Sequence, residues 1–236
     1  MRDVYHNGMK FLLTNDDGVD ADGLDALLAA ATSHGEPVVV APAGPQSGCS
    51  HTVTTDKGVL TETRGVGRYA VHGTPADCVR MGLLHIVRNA KWILSGINHG
   101  GNLGADVYYS GTVAAVREAV LHGWPGIAFS YYKKKQLEYD WPRISNWAGR
   151  VLAELLSHPW DAGIFWNVNF PHLTADDPDP EMIYCPLDPH PLPLNYRHEE
   201  GMHFYESDYH NRKRGGGTDV DVCFSGRIAV TKIRLL

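Results

Sequence analysis

The segment Lys10-Phe-Leu-Leu-Thr-Asn-Asp-Asp-Gly18 sets two adjacent carboxylates, Asp16 and Asp17, directly after a short apolar run. Acids placed side by side repel each other unless a cation or a proton sits between them. A hard divalent metal suits such a pair, because Mg²⁺ takes one or two carboxylates and keeps several waters. The bland alternative is that one Asp caps the following helix by accepting a backbone N–H. Pro45-Gln-Ser-Gly-Cys-Ser-His51 follows the run Val38–Val40 and offers the Ser47 hydroxyl. Ser95-Gly-Ile-Asn-His-Gly-Gly101 follows Trp92–Leu94 and offers the Asn98 amide oxygen. Two carboxylates, a hydroxyl and an amide oxygen form an all-oxygen donor set, suited to Mg²⁺, Mn²⁺ or Ca²⁺ and poor for zinc. Tyr109-Ser-Gly-Thr112 precedes an apolar-faced helix. Free N–H groups at a helix N-terminus bind anions, and Ser110, Gly111 and Thr112 let a phosphate approach closely. Metal donors beside an anion pocket point to metal-assisted phosphoryl transfer. Each piece also has an ordinary explanation. Ser47 is a loop serine, Asn98 a turn residue, Ser110 an N-cap, His51 and His99 hydrogen-bonded loop histidines, and Lys133-Lys-Lys135 a solvated run. The functional reading gains force because the pieces recur at successive strand ends.

The elements that must position these residues alternate along the chain. Lys10–Thr14 reads as a strand, and Asp22–His34 as a helix with Leu24, Leu27, Leu28 and Ala31 on one face. A β-branched strand follows at Pro37–Ala41, then short antiparallel strands or a hairpin within His51–Tyr69. Pro75 opens a helix expected to run to about Val87, and Trp92–Ser95 is a buried-type strand. Helix Gly111–His122, strand Gly126–Ser130, helix Asp140–Ser157 with Asp140 as N-cap, and strand Ile164–Asn169 complete the series. This alternation predicts an α/β fold, a mostly parallel Rossmann-like sheet with helices on both faces and ligands at the carboxyl ends of its strands. Half of the fourteen prolines fall between Pro171 and Pro193. We therefore expect a core over 1–170, a Pro-rich lid or oligomerisation arm over 171–214, and a returning part of the same domain over 215–236. In that last part Arg227–Ile233 reads as a half-buried strand.

With 236 residues and 43% apolar content the chain can build a sizeable core. Its net charge of −6 argues against a nucleic-acid partner. The N-terminal residues lack an apolar signal core, no run is long enough for a membrane span, and the four cysteines show no paired metal spacing. A cytoplasmic protein with reduced thiols and no membrane partner is the expectation.

Several ordered motifs also resemble those of SurE, the survival-protein-E family of metal-dependent 5′/3′-nucleotidases. They are Thr14-Asn-Asp-Asp-Gly18, Val40-Ala-Pro42 with Ser47-Gly-x-Ser50-His51, Gly73-Thr-Pro-Ala-Asp-Cys78, Ser95-Gly-Ile-Asn-His-Gly100, Asn102-Leu-Gly104 and Tyr109-Ser-Gly-Thr-Val-Ala114. Weaker echoes occur at Asn167-Val-Asn169 and Gly217-Thr-Asp219. The resemblance implies a divalent metal on Asp16, Asp17, Ser47 and Asn98, hydrolysis of nucleoside monophosphates or other small phosphomonoesters, and a homodimer or homotetramer. The family's Ala-Pro-Gly after the acidic turn is Ala21-Asp-Gly23 here, and its Asp and Arg residues after Ala-Pro are replaced by Ala43-Gly-Pro-Gln46. The expected activity is a phosphomonoesterase acting on nucleoside 5′- or 3′-monophosphates. Asp16 and Asp17 are its catalytic acids, and Asn15, Ser110, Gly111 and Thr112 its phosphate contacts. The alternative is a catalytically silent metal- and nucleotide-binding module on the same fold. A dinucleotide binder is disfavoured, because no G-x-G-x-x-G follows the first strand.

Overall fold

The run Phe11-Leu-Leu13 is apolar throughout, which is what a strand covered on both faces requires. In the computed structural model, which describes residues 8–134, 138–206 and 208–235, β1 (Lys10–Thr14) lies at the centre of the sheet. Phe11 and Leu13 point into one hydrophobic layer and Leu12 into the other. Residues 1–7, Lys135 of the lysine run and Leu236 lie outside the described residues.

Around β1 are α1 (Asp22–Thr32), β2 (Glu36–Pro42), β3 (Thr61–Gly65), β4 (Arg68–Val71), α2 (Pro75–Met81), β5 (Trp92–His99), α3 (Gly111–Leu121), β6 (Gly126–Tyr131), α4 (Trp141–Leu155) and β7 (Ile164–Phe170). The later elements are β8 (Met182–Tyr184), β9 (Tyr196–Glu199), β10 (Met202–Tyr205), α5 (Asp219–Phe224) and β11 (Ile228–Arg234). The main sheet has nine strands in the order β3-β4-β2-β1-β5-β6-β7-β11-β8. The run from β4 to β7 is parallel, while β3 and β11 enter antiparallel to their sheet neighbours β4 and β7. Helices α1 and α4 pack together on one face, α2 and α3 on the other. Helix α4 shows why: Ile144, Trp147, Ala148, Val151, Leu152 and Leu155 form a buried stripe at helical spacing, and the Asp140 carboxylate accepts the Arg143 N–H at 3.1 Å as its N-cap.

Three expectations are refined. The helix from Pro75 ends at Met81 and passes into a widened π-type turn over Gly82–Ile86, where Gly82 lies directly on Leu12. Within His51–Tyr69 the antiparallel pair is β3 with β4, whereas residues 51–60 have no regular structure. The last strand is buried continuously from Ile228 to Thr231, because it lies between β7 and β8 rather than at an edge.

The Pro-rich stretch does two things. Met182–Tyr184 supplies the short edge strand β8, and β9 with β10 forms a separate two-stranded hairpin whose eight residues are all exposed. At the carboxyl end of β5, pairing with β6 slips between Ser95 and Asn98. Gly96 sits in that irregularity with φ +134°, and a Cβ there would lie 2.2 Å from the Phe129 carbonyl oxygen. Such bulges re-aim side chains at strand ends, and this one precedes Asn98.

Candidate active site

The acidic turn begins where β1 ends. Asn15 closes it, donating from Nδ2 to the Gly18 carbonyl at 2.9 Å and accepting the Gly18 N–H on Oδ1 at 3.2 Å. The side chain of Asn15 is therefore first a clamp that shapes the turn. Neither acid caps α1, whose N-cap is Ala21 with no side-chain bond, so the capping explanation of the pair does not hold.

Asp16 is 5% exposed and Asp17 half-buried. Thr112 donates its hydroxyl to Asp16 Oδ1, and the Gln46 N–H donates to the Asp16 carbonyl at 2.7 Å. Gly111 presses against Asp16 so closely that a Cβ would lie 2.8 Å from its Oδ2; a side chain there would displace the carboxylate. Asp17 Oδ2 accepts the His99 N–H at 3.2 Å and lies 3.1 Å from His99 Nδ1. The acid pair thus meets three of the expected segments: the β2 loop through Gln46, the residue before Ser47; the β5 end through His99, the residue after Asn98; and the start of α3.

Asn98 donates Nδ2 to the Gly100 carbonyl at 2.8 Å, which serves the turn and leaves Oδ1 as the acceptor end. Ser47 is exposed in its loop. Ser110 is the N-cap of α3, its Oγ accepting the Val113 N–H at 3.1 Å. The first backbone bond of the helix runs from Ala114 to the Ser110 carbonyl, so the N–H groups of Gly111 and Thr112 are donors without intrahelical partners. The Thr112 hydroxyl is committed to Asp16, which leaves its backbone N–H as the donor without an intrahelical partner.

Electrostatics fit a cation. Burial, reinforced by the charge of Asp17, raises the Asp16 carboxyl from 3.8 to about 6 despite the Thr112 hydrogen bond. A buried anion beside a second carboxylate, with a neutral amide oxygen and a hydroxyl on the adjoining loops, is the chemistry of a hard-cation site. Among the described residues no three His, Cys, Asp or Glu side chains converge on one ion; a cation here would need neutral oxygens such as those of Ser47 and Asn98 beside the two acids.

Two buried carboxylates that the sequence reading passed over hold the loops in place. Glu118 of α3 takes His51 Nε2 at 2.8 Å, His122 Nε2 at 2.9 Å and the Arg80 guanidinium. Burial alone would raise its carboxyl, but these three donors bring it down to about 2. Asp77 accepts the Thr54 N–H at 3.0 Å and the Thr54 hydroxyl at 2.6 Å, and forms a capping box with Thr74. Together they fasten the first part of the irregular segment after Ser47, at His51 and Thr54. Thr74-Pro-Ala-Asp77 carried a capping-box signal in the sequence; an acid on the apolar face of α3 was the only signal for Glu118.

The echoes at 102–104, 167–169 and 217–219 converge as well. Asn102 donates its N–H to Asn169 Oδ1 at 2.8 Å and its Nδ2 to Ser130 Oγ at 2.7 Å, while Asn167 Nδ2 donates to its carbonyl at 2.8 Å. Asp219 accepts the Gly104 N–H at 2.8 Å, and Arg212, 3% exposed, bonds the Leu103 carbonyl at 2.7 Å and Asp106 Oδ2 at 3.0 Å. These contacts fix the loop that leads into Ser110.

Comparison with known proteins identifies the family and matches the fold. The family model described as Survival protein SurE matches residues 11–187. A protein of Nostoc sp., named provisionally as a 5′-nucleotidase, is 48% identical over 96% of this chain and all of its own length. The 5′-nucleotidase SurE of Aeromonas hydrophila is 34% identical over 96% of this chain and 92% of its own. The crystal structure of the SurE protein from Aquifex aeolicus superposes with a TM-score of 0.85 at 30% identity, covering 96% of this chain and 94% of that one.

A carboxyl that holds its proton more tightly folded than unfolded stabilises the fold below the unfolded value and loses that contribution as pH rises through the folded value. Without metal, ionised Asp16 therefore opposes folding above about pH 6, by on the order of 3 kcal/mol. Asp16→Asn, which keeps an acceptor for Thr112, is expected to raise the urea midpoint of the metal-free protein at pH 8 and to change it little at pH 4. Equal effects at both pH values would contradict this.

Proposed function

The chain belongs to the Survival protein SurE family, and on that premise we propose that it is a metal-dependent phosphomonoesterase acting on nucleoside 5′-monophosphates. The observation that carries this reading is the contact of Gly111 and Thr112 with Asp16, which sets a helix N-terminus for phosphate against an acid pair for a cation. Asp16, Asp17, Asn98 and Ser47 would hold Mg²⁺ or Mn²⁺. When bound, the cation supplies charge neutralisation at the phosphate and a lowered pKa for the attacking water. The chain does the rest. Asp16 orients that water and takes its proton. The N–H groups of Gly111 and Thr112, with the Ser110 hydroxyl, bind the phosphoryl oxygens and stabilise their developing charge. Asn15 keeps the acids in register by closing their turn. The names of the relatives from Nostoc and Aeromonas support the 5′ ester as substrate.

The tests are phosphate release from 5′- and 3′-nucleoside monophosphates with Mg²⁺, Mn²⁺ or EDTA, and Asp17→Asn. We expect release from 5′ esters that EDTA abolishes and that the variant lowers by at least about 100-fold. Metal and nucleotide binding without release would establish the silent module instead.

We assign the hairpin of β9 and β10 to self-assembly and the protein to the cytoplasm. A lone two-stranded hairpin is marginal in water, and this one displays Tyr196, Met202, Phe204 and Tyr205 beside the 86%-exposed Leu194. Four free cysteines, three of them buried, suit a reducing compartment, and among the described residues no helix is long and apolar enough to cross a membrane. Sedimentation is expected to show a dimer or tetramer that Leu194→Glu with Phe204→Glu dissociates; a monomeric wild type would refute the assignment.

A further inference from the structure

Next to Asp17 a cavity of about 400 Å³ opens between His99, Gly101, Tyr132, Lys133, Tyr139 and Tyr209, a volume in the range of small-molecule sites. His99 is the wall it shares with the acid pair: the imidazole is held on Asp17 through Nδ1 at 3.1 Å and meets Tyr139 edge-on, with ring centroids 5.1 Å apart. Tyr139 is braced from behind. Its ring stacks on Trp141 at 4.9 Å with an interplanar angle of 9°, and Trp141 is the first residue of α4. A ring stacked on an indole has one face left, and Lys133 Nζ covers it at 4.4 Å from the centroid. The charge of Asp17 reaches this ring, adding to burial in pushing the Tyr139 phenol up to about 12. The cavity and the acids are therefore one side chain apart.

We propose that this cavity takes the nucleoside part of a nucleoside monophosphate whose phosphate lies at Asp16 and Asp17, with the base replacing the Lys133 ammonium on the second face of Tyr139. In the complex the Lys133 ammonium, carried on a four-carbon stem, moves from that face to the acceptor edge of the base. The inference rests on the phosphomonoesterase reading and adds to it the reason a nucleotide is preferred over other esters. Every base has a π-face, so stacking on Tyr139 favours all nucleotides and tells bases apart only weakly. A sugar phosphate lacks that contact altogether.

Steady-state kinetics with AMP and with D-ribose 5-phosphate, which carries the same ester without the base, test the proposal. The wild type is expected to favour AMP in kcat/KM by about tenfold or more, the scale of one base–aromatic stack, with GMP, CMP and UMP close to AMP. In Tyr139→Leu the AMP advantage should collapse toward one, mainly through KM, with ribose 5-phosphate turnover retained; Tyr139→Phe should restore it. Because both substrates are read on the same variant, partial misfolding lowers both rates and leaves the ratio intact. Competitive inhibition of ribose 5-phosphate hydrolysis by adenosine, weakened in Tyr139→Leu, gives a second readout independent of AMP turnover. An AMP advantage unchanged in Tyr139→Leu, or absent in an active wild type, overturns the nucleoside site and leaves the phosphatase standing. A folded wild type that hydrolyses neither substrate overturns the phosphatase itself.

Discussion

Two carboxylates on consecutive residues at the end of a central strand repel each other when both are ionised, and the contacts around them bear on that repulsion. Asp16 is 5% exposed, and burial with the neighbouring charge lifts its carboxyl to about 6. The groups placed around the pair are donors or empty space: the Thr112 hydroxyl, the His99 N–H and imidazole, and a glycine where any side chain would collide. These contacts soften the repulsion without removing it. A divalent cation between the two acids would relieve the repulsion that remains, and the surrounding structure over-determines the positions of both.

That over-determination is visible in the loops. The β2 loop with Ser47 is irregular, yet His51 and Thr54 tie it to Glu118 and Asp77, two acids almost wholly buried in the helix layer α2–α3. The loop before Ser110 is held from the other side by Asn102, Arg212 and Asp219. Arg212 belongs to the stretch that also carries the exposed hairpin, so that stretch is anchored by the same ion pair with Asp106 that steadies the approach to α3. Paired, buried charges of this kind define geometry more than they add stability.

Much of this was legible in the chain. Alternating apolar runs and amphipathic stripes place the strands and helices, and small polar residues after each strand place the site at the carboxyl edge of the sheet. The unread parts share a physical cause: they depend on pairing between segments distant in sequence. Nothing local marks Glu118 as the partner of His51, 67 residues away, or Tyr139 as the neighbour of His99 across the top of the sheet. Hydrogen-bonding capacity was also invisible. Asn15 looks like a free ligand in sequence, but its side-chain amide is committed to the turn, while Ser110 is the N-cap that the sequence also allowed. The continuous burial of β11 came from its being covered by β8, a strand of only three residues inside a Pro-rich run.

The most direct test of the central claim is calorimetric titration of the metal-free protein with Mn²⁺ at pH 5.5, in two buffers of different ionisation enthalpy. If the acid pair is a cation site built around a raised Asp16, one ion binds per chain and displaces a proton, and both the binding and the proton release are lost in Asp16→Asn. Binding that proceeds without proton release and survives Asp16→Asn would contradict it, and would move the cation, and the chemistry with it, away from the end of β1.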